Sequence, residues 1–383
     1  MKIAFFTESL PPNTDGVAHT YAKLAETLLN KGIEFKFYSS VVPDPGFVWR
    51  DRVRKVPSFA FPLYDYYRMG IPDSDVMRAE LDTFLPDIVQ CASPTPLGFF
   101  AASYARTRCI PAVTSYHTNF VSYLKYYGLQ LAENIGWAYL RWFHNKFQTT
   151  YAPTSKMLDE LRCHGIENID LWQRGIEVDR FSPDLRSAAL RESVGAADKP
   201  IILFVGRLVR EKDLLDLADA ALLLKSKKVD FKLVYVGEGP LEGELRERFP
   251  DAYFTGFLHG NALATWYASA DIFAFPSTTE TFGNVIQEAS ASGLPTVCVD
   301  QGGVVDLVND NETGFISHAN NPQDLASDIR YLIDHPEIRL QMGEKARQNV
   351  ITNTWDNING RLLNSYNEVI SRYRKSLSLR KAA

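Results

Sequence analysis

The chain has 383 residues, more than one hydrophobic core usually serves, so two domains of ordinary size are expected. Hydrophobic residues make up 45% and charged residues 23%, a balance that excludes a disordered or fibrous protein. The formal net charge of −5 gives no general attraction to nucleic acid, and none is expected as a partner.

At the N-terminus an apolar run over 2–7 meets Thr7 and Glu8, too soon for a signal segment or a membrane span, and reads as a first buried strand. A helix over about 17–30 and a strand over 35–39 continue the βαβ rhythm of a parallel sheet. Between strand and helix lies Glu8-Ser9-Leu10-Pro11-Pro12-Asn13-Thr14-Asp15-Gly16-Val17. Its Asp-Gly pair tolerates left-handed backbone and would present free N–H groups to an anion at the helix start, with Gly16 as the candidate. Without a GxGxxG, the same loop reads equally as an ordinary βα turn.

Further strands are expected over 88–91, 112–116, 149–152 and 169–172, their ends marked by proline or polar residues. His117 follows the 112–116 strand at once, in Ser115-Tyr116-His117-Thr118-Asn119-Phe120, where parallel sheets gather ligand-binding groups. A strand-end histidine bonded to backbone fits that segment as well. Cys91, Cys109, Cys163 and Cys298 lie far apart with no CxxC pair, which points to neither a zinc site nor a disulfide framework and fits a reducing cytoplasm. Charges and prolines interrupt every window of about 20 residues, so a membrane contact would be peripheral, at the inner face.

Residues 173–183 carry Gly175, Pro183 and several charges, and the rhythm restarts near 200. Strands are expected over 201–206, 232–236, 252–255, 271–275, 296–299 and 314–317, with helices opening near Asp213, Leu241, Asn261 and Gly283. The fold class is therefore α/β, with two doubly wound domains, 1–178 and 179–353, facing each other across a cleft. The remainder, 354–383, reads as a helix crossing back to the first domain with Trp355, Ile358, Leu362, Leu363, Tyr366 and Ile370 on one face, followed by a frayed tail from Lys375.

In the second half, Gly206-Arg207-Leu208-Val209-Arg210-Glu211-Lys212 places two cations, Arg207 and Lys212, after a strand and ahead of a helix. An arginine fork and a compact ammonium together suit a diphosphate, and a solvated charge cluster is the alternative. The most informative stretch runs Phe275-Pro276-Ser277-Thr278-Thr279-Glu280-Thr281-Phe282-Gly283-Asn284-Val285-Ile286-Gln287-Glu288. A helix opening near Gly283 turns its free amides toward the strand ends. Glu280 then belongs to the loop, where it can meet a sugar, and Glu288 to the helix, where it can accept hydrogen bonds from ribose hydroxyls. Two surface carboxylates are the alternative.

Glu280 through Glu288 resembles the E-x7-E motif of retaining GT-B glycosyltransferases of family 4. Tyr116-His117-Thr118, Trp172-Gln173-Arg174-Gly175-Ile176, Phe181-Ser182-Pro183, Val205-Gly206-Arg207, Val236-Gly237-Glu238-Gly239-Pro240 and Ala291-Ser292-Gly293-Leu294-Pro295 stand in the family's order, so the resemblance spans nearly the whole chain. It implies that Arg207 and Lys212 hold a donor diphosphate, that Glu288 holds the ribose, and that Glu280 with the Phe282, Gly283 and Asn284 amides meets the transferred hexose. It also implies that His117 lines the reaction centre and that Phe257, in Gly256-Phe257-Leu258, frames the base. The family commonly has two adjacent glycines where this chain has Asp15-Gly16.

The resemblance further implies a GDP-sugar or UDP-sugar donor, no cofactor and no essential metal. Ser115–Phe120 followed by Tyr123, Tyr126 and Tyr127 is similar to GDP-mannose-dependent mannosyltransferases and to sulfoquinovosyl- and galactosyltransferases acting on diacylglycerol, which implies a lipid or glycan acceptor. Trp49, Phe59, Phe61, Tyr64, Tyr66 and Tyr67, interleaved with Arg50, Arg52, Arg54, Lys55 and Arg68, could form an interfacial patch, or the rings could pack a core or line a glycan groove. A Rossmann oxidoreductase would need a GxGxxG after the first strand, which is missing. A non-catalytic GT-B scaffold would be expected to lose Glu280, Lys212 or His117, and all are present.

Overall fold

The computed structural model describes residues 1–13, 15–61, 64–117 and 133–382. They divide into two units, one drawn from 1–117, 133–174 and 355–382, the other from Gly175–Thr354. The division falls between Arg174 and Gly175, a few residues ahead of the 178/179 boundary expected from sequence.

In the first unit β1 (Lys2–Thr7) is buried from Ile3 onward on both faces, as its unbroken apolar run requires of a central parallel strand. β2 (Glu34–Ser39) and β3 (Val53–Lys55) follow, then an antiparallel hairpin of β4 (Ser58–Phe61) and β5 (Tyr64–Gly70), then β6 (Ile88–Cys91), β7 (Ala112–Ser115), β8 (Thr149–Ala152) and β9 (Ile169–Leu171). Without the hairpin these strands make one parallel sheet in the order β3-β2-β1-β6-β7-β8-β9. The chain order reverses between β1 and β6. The hairpin and β3 have no counterpart in the sequence expectation, since their mixed charged and aromatic residues lack clean alternation.

Helices cover the sheet, and their starts follow local chemistry. Thr154 caps Ser155–Cys163 by accepting from the Met157 amide at 3.2 Å, and Pro96 opens Pro96–Thr107 behind its cap Thr95. The last helix, Trp355–Ala382, returns to this unit and buries Ile358, Leu362, Leu363, Tyr366, Val369 and Ile370 beside Leu24, Leu28 and Phe37. It runs through the segment expected to fray, because the Lys, Arg, Ser and Leu residues after 374 include neither a proline nor a glycine to stop it.

The second unit is a six-stranded parallel sheet of β10 (Ile201–Val205), β11 (Lys232–Val236), β12 (Tyr253–Phe254), β13 (Ile272–Phe275), β14 (Thr296–Val299) and β15 (Gly314–Ser317). The order is β12-β11-β10-β13-β14-β15, so chain order reverses between β10 and β13. Loops leaving the carboxyl ends of two strands that diverge in this way form the crevice where open α/β sheets hold ligands. Gly237 secures close packing there, since a Cβ on it would stand 2.0 Å from the Gly206 carbonyl oxygen.

Candidate functional site

The loop after β10 and the loop after β13 are stitched together by their own polar groups. Thr278 donates to Asp213 Oδ2 through its amide (3.0 Å) and its hydroxyl (2.8 Å). Ser277 and Thr279 hydroxyls donate to the Glu211 carbonyl at 3.3 and 3.0 Å. Across this seam the Lys212 ammonium is ion-paired with Glu280. Arg207 stands exposed at the carboxyl end of β10 and pairs with Glu211 at 3.7 Å. Burial first, and then the like charge of Arg207, push the Lys212 ammonium down to about 8.

Glu280 is held by its backbone as well. Gly302 lies behind it at φ 76°, and the Gly303 amide donates to the Glu280 carbonyl at 2.6 Å. Gly283 adopts φ 95°, a left-handed turn that closes the loop and starts the helix Asn284–Ala291. Asn284, at the head of that helix, has its side-chain oxygen buried with no hydrogen-bond partner among the described residues. Buried polar atoms are normally paired, and this one stands with several other unpaired buried atoms among the described residues. Phe282 is buried beside it.

Glu288 sits on the same helix, partly buried, and accepts from Tyr267 Oη at 2.8 Å. Burial pushes its carboxyl up to about 7, against the Tyr267 hydrogen bond, which pulls it down. Phe257 is 56% exposed after β12, stacked on His259 at 6.0 Å, with its amide donating to Glu238 Oε1 at 3.2 Å. An exposed flat ring at a strand end is suited to stacking on a base. Arg207, Lys212, Phe257, Glu280, Phe282, Gly283, Asn284 and Glu288 thus all lie on or next to the carboxyl ends of this one sheet.

His117, in the first unit, follows β7. Its Nδ1 lies 2.7 Å from Arg174 Nη2 and its Nε2 lies 3.4 Å from Tyr21 Oη, while the ring packs edge-on against Tyr21 and Trp172. Burial, with the Arg174 guanidinium next, holds the imidazole well below its usual pKa. The ring of this strand-end histidine thus meets side chains from the helix that follows β1 and from the segment after β9.

The Asp15-Gly16 turn differs from expectation. Asp15 Oδ1 itself accepts from the amides of Val17 and Ala18, each at 2.9 Å, and Ser9 donates to the other carboxylate oxygen. The helix amides expected to await an anion beside Gly16 are therefore already capped, by Asp15. Of the two readings left open for the aromatic and basic residues over 49–68, the core reading holds for Trp49. Trp49 is 1% exposed and packs on Phe37 and Phe47, so it belongs to the core. Arg54 pairs with Glu80, Arg52 lies over the Phe35 ring, and Phe59 is exposed. The side chains of Phe61, Tyr64, Tyr66 and Tyr67, and residues 118–120, 123, 126 and 127, lie outside the described residues.

Sequence reasoning did not single out Tyr267, Arg174 or Gly302, and it named Asp213 only as a helix start. Arg174 stood inside a quoted motif but carried no sign of its partner, and nothing local marks Tyr267.

Residues 187–349 match the family described as glycosyl transferases group 1, and residues 14–180 match glycosyltransferase family 4. A GDP-mannose-dependent alpha-mannosyltransferase of Corynebacterium glutamicum is 36% identical over 97% of this chain and 90% of its own. The chain belongs to glycosyltransferase family 4. A sulfoquinovosyl transferase of Arabidopsis thaliana, also similar, is 30% identical over 92% of this chain and 71% of its own length. The crystal structure of Anabaena HepE with UDP shares the fold at a TM-score of 0.79, with 18% identity over 96% of this chain and all of that one. As a family 4 member of GT-B fold, the protein is a glycosyltransferase. Among the described residues no helix is long and apolar enough to cross a membrane.

Proposed function

We propose that this glycosyltransferase moves a hexosyl group, with retention of anomeric configuration, from a GDP-sugar or UDP-sugar to a lipid or glycan acceptor. The observation that carries the reading is the Lys212–Glu280 pair at the β10/β13 reversal, with Arg207 beside it and the orphaned Asn284 acceptor at the head of the next helix. A diphosphate laid across Arg207 and Lys212 would have its growing negative charge met by two cations as the sugar departs, so the reaction needs no metal. Glu288 would take the ribose hydroxyls, Phe257 the base, and Glu280 with the Gly283–Asn284 turn the hexose. His117 would serve the transfer itself, and the first unit the acceptor.

The mannosyltransferases among the relatives support GDP-mannose as the first donor to test, and the sulfoquinovosyl transferase supports a lipid acceptor. A peripheral membrane contact follows from such an acceptor. The wide spacing of the four cysteines along the chain supports a reducing cytoplasm.

Calorimetric titration with GDP and UDP, followed by a screen of GDP-mannose and UDP-hexoses with EDTA present, tests the assignment. Binding of one nucleoside diphosphate and EDTA-resistant transfer giving the donor's anomeric configuration are expected. Binding of neither nucleotide, or an inverted product, would refute it.

A further inference from the structure

His117 is gripped by a side chain that can only donate. A guanidinium has five N–H donors and no acceptor, and although burial lowers Arg174 to about 10, it stays protonated at neutral pH. Arg174 is 5% exposed and fixed twice more, donating through Nη1 to the carbonyls of Trp172 (2.6 Å) and Gln173 (3.3 Å), with its guanidinium 5.2 Å from the Trp172 ring centroid. It therefore cannot turn away cheaply, and Nη2 meets His117 Nδ1 at 2.7 Å. A nitrogen receiving an N–H at that distance must offer its lone pair, which leaves the ring proton on Nε2.

The surroundings of Nε2 agree. Its neighbour at 3.4 Å, Tyr21 Oη, lies 3.1 Å from Gln90 Nε2, which is itself 2.8 Å from Ser115 Oγ. Tyr21 is 0% exposed, and burial pushes its phenol far above the usual range, so it offers a neutral oxygen to which an Nε2–H can donate.

We propose that Arg174 is a positioning residue that locks His117 as the neutral Nε2–H tautomer, so that His117 enters the transfer reaction as a hydrogen-bond donor and not as its base. The role in transfer rests on the proposed function above, whereas the tautomer stands on the geometry of the first unit. A ring held this way has no lone pair at Nε2 to take the acceptor's proton, so that proton must go to another group. A donating Nε2–H instead supports an oxygen that is gaining negative charge.

The test pairs spectroscopy with kinetics on the full chain. In protein labelled with 15N-histidine, the His117 signals, assigned by their loss in His117→Gln, should show a protonated Nε2 and an unprotonated Nδ1. Arg174→Met should release the tautomer to a mixture and lower kcat by about two orders of magnitude, while the Kd for free nucleotide stays within twofold. Arg174→Lys, which keeps one donor, should restore part of both. Because Arg174 also holds two carbonyls, thermal unfolding of each variant accompanies the kinetics.

A proton on Nδ1 in the wild type, or an unchanged tautomer in Arg174→Met, overturns the proposal even if His117→Gln is inactive. A tautomer lost in Arg174→Met with kcat unchanged there and in His117→Gln instead overturns the place of His117 in the reaction.

Discussion

Tyr267 donates its phenolic proton to Glu288 across 2.8 Å and so fastens the helix Gly260–Ser269 to the helix Asn284–Ala291. The contact favours the ionised form of a carboxyl that burial pushes up to about 7. Ribose hydroxyls donate best to that ionised form. As pH falls through about 7, Glu288 takes up a proton, so nucleoside diphosphate affinity should fall on the acid side and recover toward pH 8. Tyr267→Phe removes the bond that opposes protonation, moves the loss to higher pH, and should weaken binding at pH 7 by about tenfold. Calorimetry at pH 6, 7 and 8 checks this, with Glu288→Gln giving the baseline for the nucleotide's own titration. Curves for wild type and Tyr267→Phe that coincide at all three values would remove the pair from the site.

The two cations should set the alkaline limit. Lys212 is charged below about 8 and loses its proton as pH rises through that value, so diphosphate affinity should decline on the alkaline side. Lys212→Ala should abolish that decline. Arg207→Ala removes a like charge and should move it to higher pH. Each variant should lose about two orders of magnitude in turnover. Rates within a few-fold of wild type in both would end the diphosphate assignment.

Gly302 tests the backing of Glu280. A Cβ there would lie 2.9 Å from the Glu280 carbonyl oxygen and 3.1 Å from that of Thr278, at a φ of 76° that suits few other residues. Gly302→Ala should therefore cost about 1–3 kcal/mol of stability and, by pushing the loop forward, lower kcat by more than tenfold. Thermal unfolding and steady-state kinetics separate the two effects. An unfolding temperature that falls while kcat holds would show that the 302–303 turn does not position Glu280.

Both sheets were legible in the sequence because buried parallel strands are short apolar runs ended by Gly, Pro or polar residues, and β11, β14 and β15 match expectation to the residue. The placement of Glu280 in a loop and Glu288 on a helix was legible for a similar reason: Gly283 marks the turn between them. What could not be read is pairing across long sequence distances. Arg174 meets His117 from 57 residues away, and Tyr267 meets Glu288 from 21. Each partner follows from tertiary packing that no local period encodes. The Asp15 cap was hidden differently, since an Asp-Gly pair is compatible with either an open or a filled helix start, and only the observed side-chain direction decides.

The last prediction separates the two carboxylates. Read from sequence, Glu280 contacts only the sugar, and Glu280→Gln would leave free nucleotide affinity nearly unchanged. Its ion pair with Lys212 alters that expectation. In the resting protein the carboxylate competes with the diphosphate for the same ammonium, so a nucleotide must share Lys212 or displace Glu280. Glu280→Gln removes the competitor while keeping an amide of nearly equal size, and free GDP or UDP should then bind as tightly as to wild type or several-fold more tightly. Turnover should still fall, since the amide loses the charge assistance that a carboxylate gives to a sugar hydroxyl. Glu288→Gln should behave oppositely at the binding step, weakening free nucleotide and intact donor alike. Titrating both variants with nucleotide and with nucleotide sugar distinguishes these patterns. Should Glu280→Gln weaken free nucleotide as much as Glu288→Gln does, Glu280 would be holding Lys212 in place for the diphosphate, and the sugar would have to be sought elsewhere on the loop.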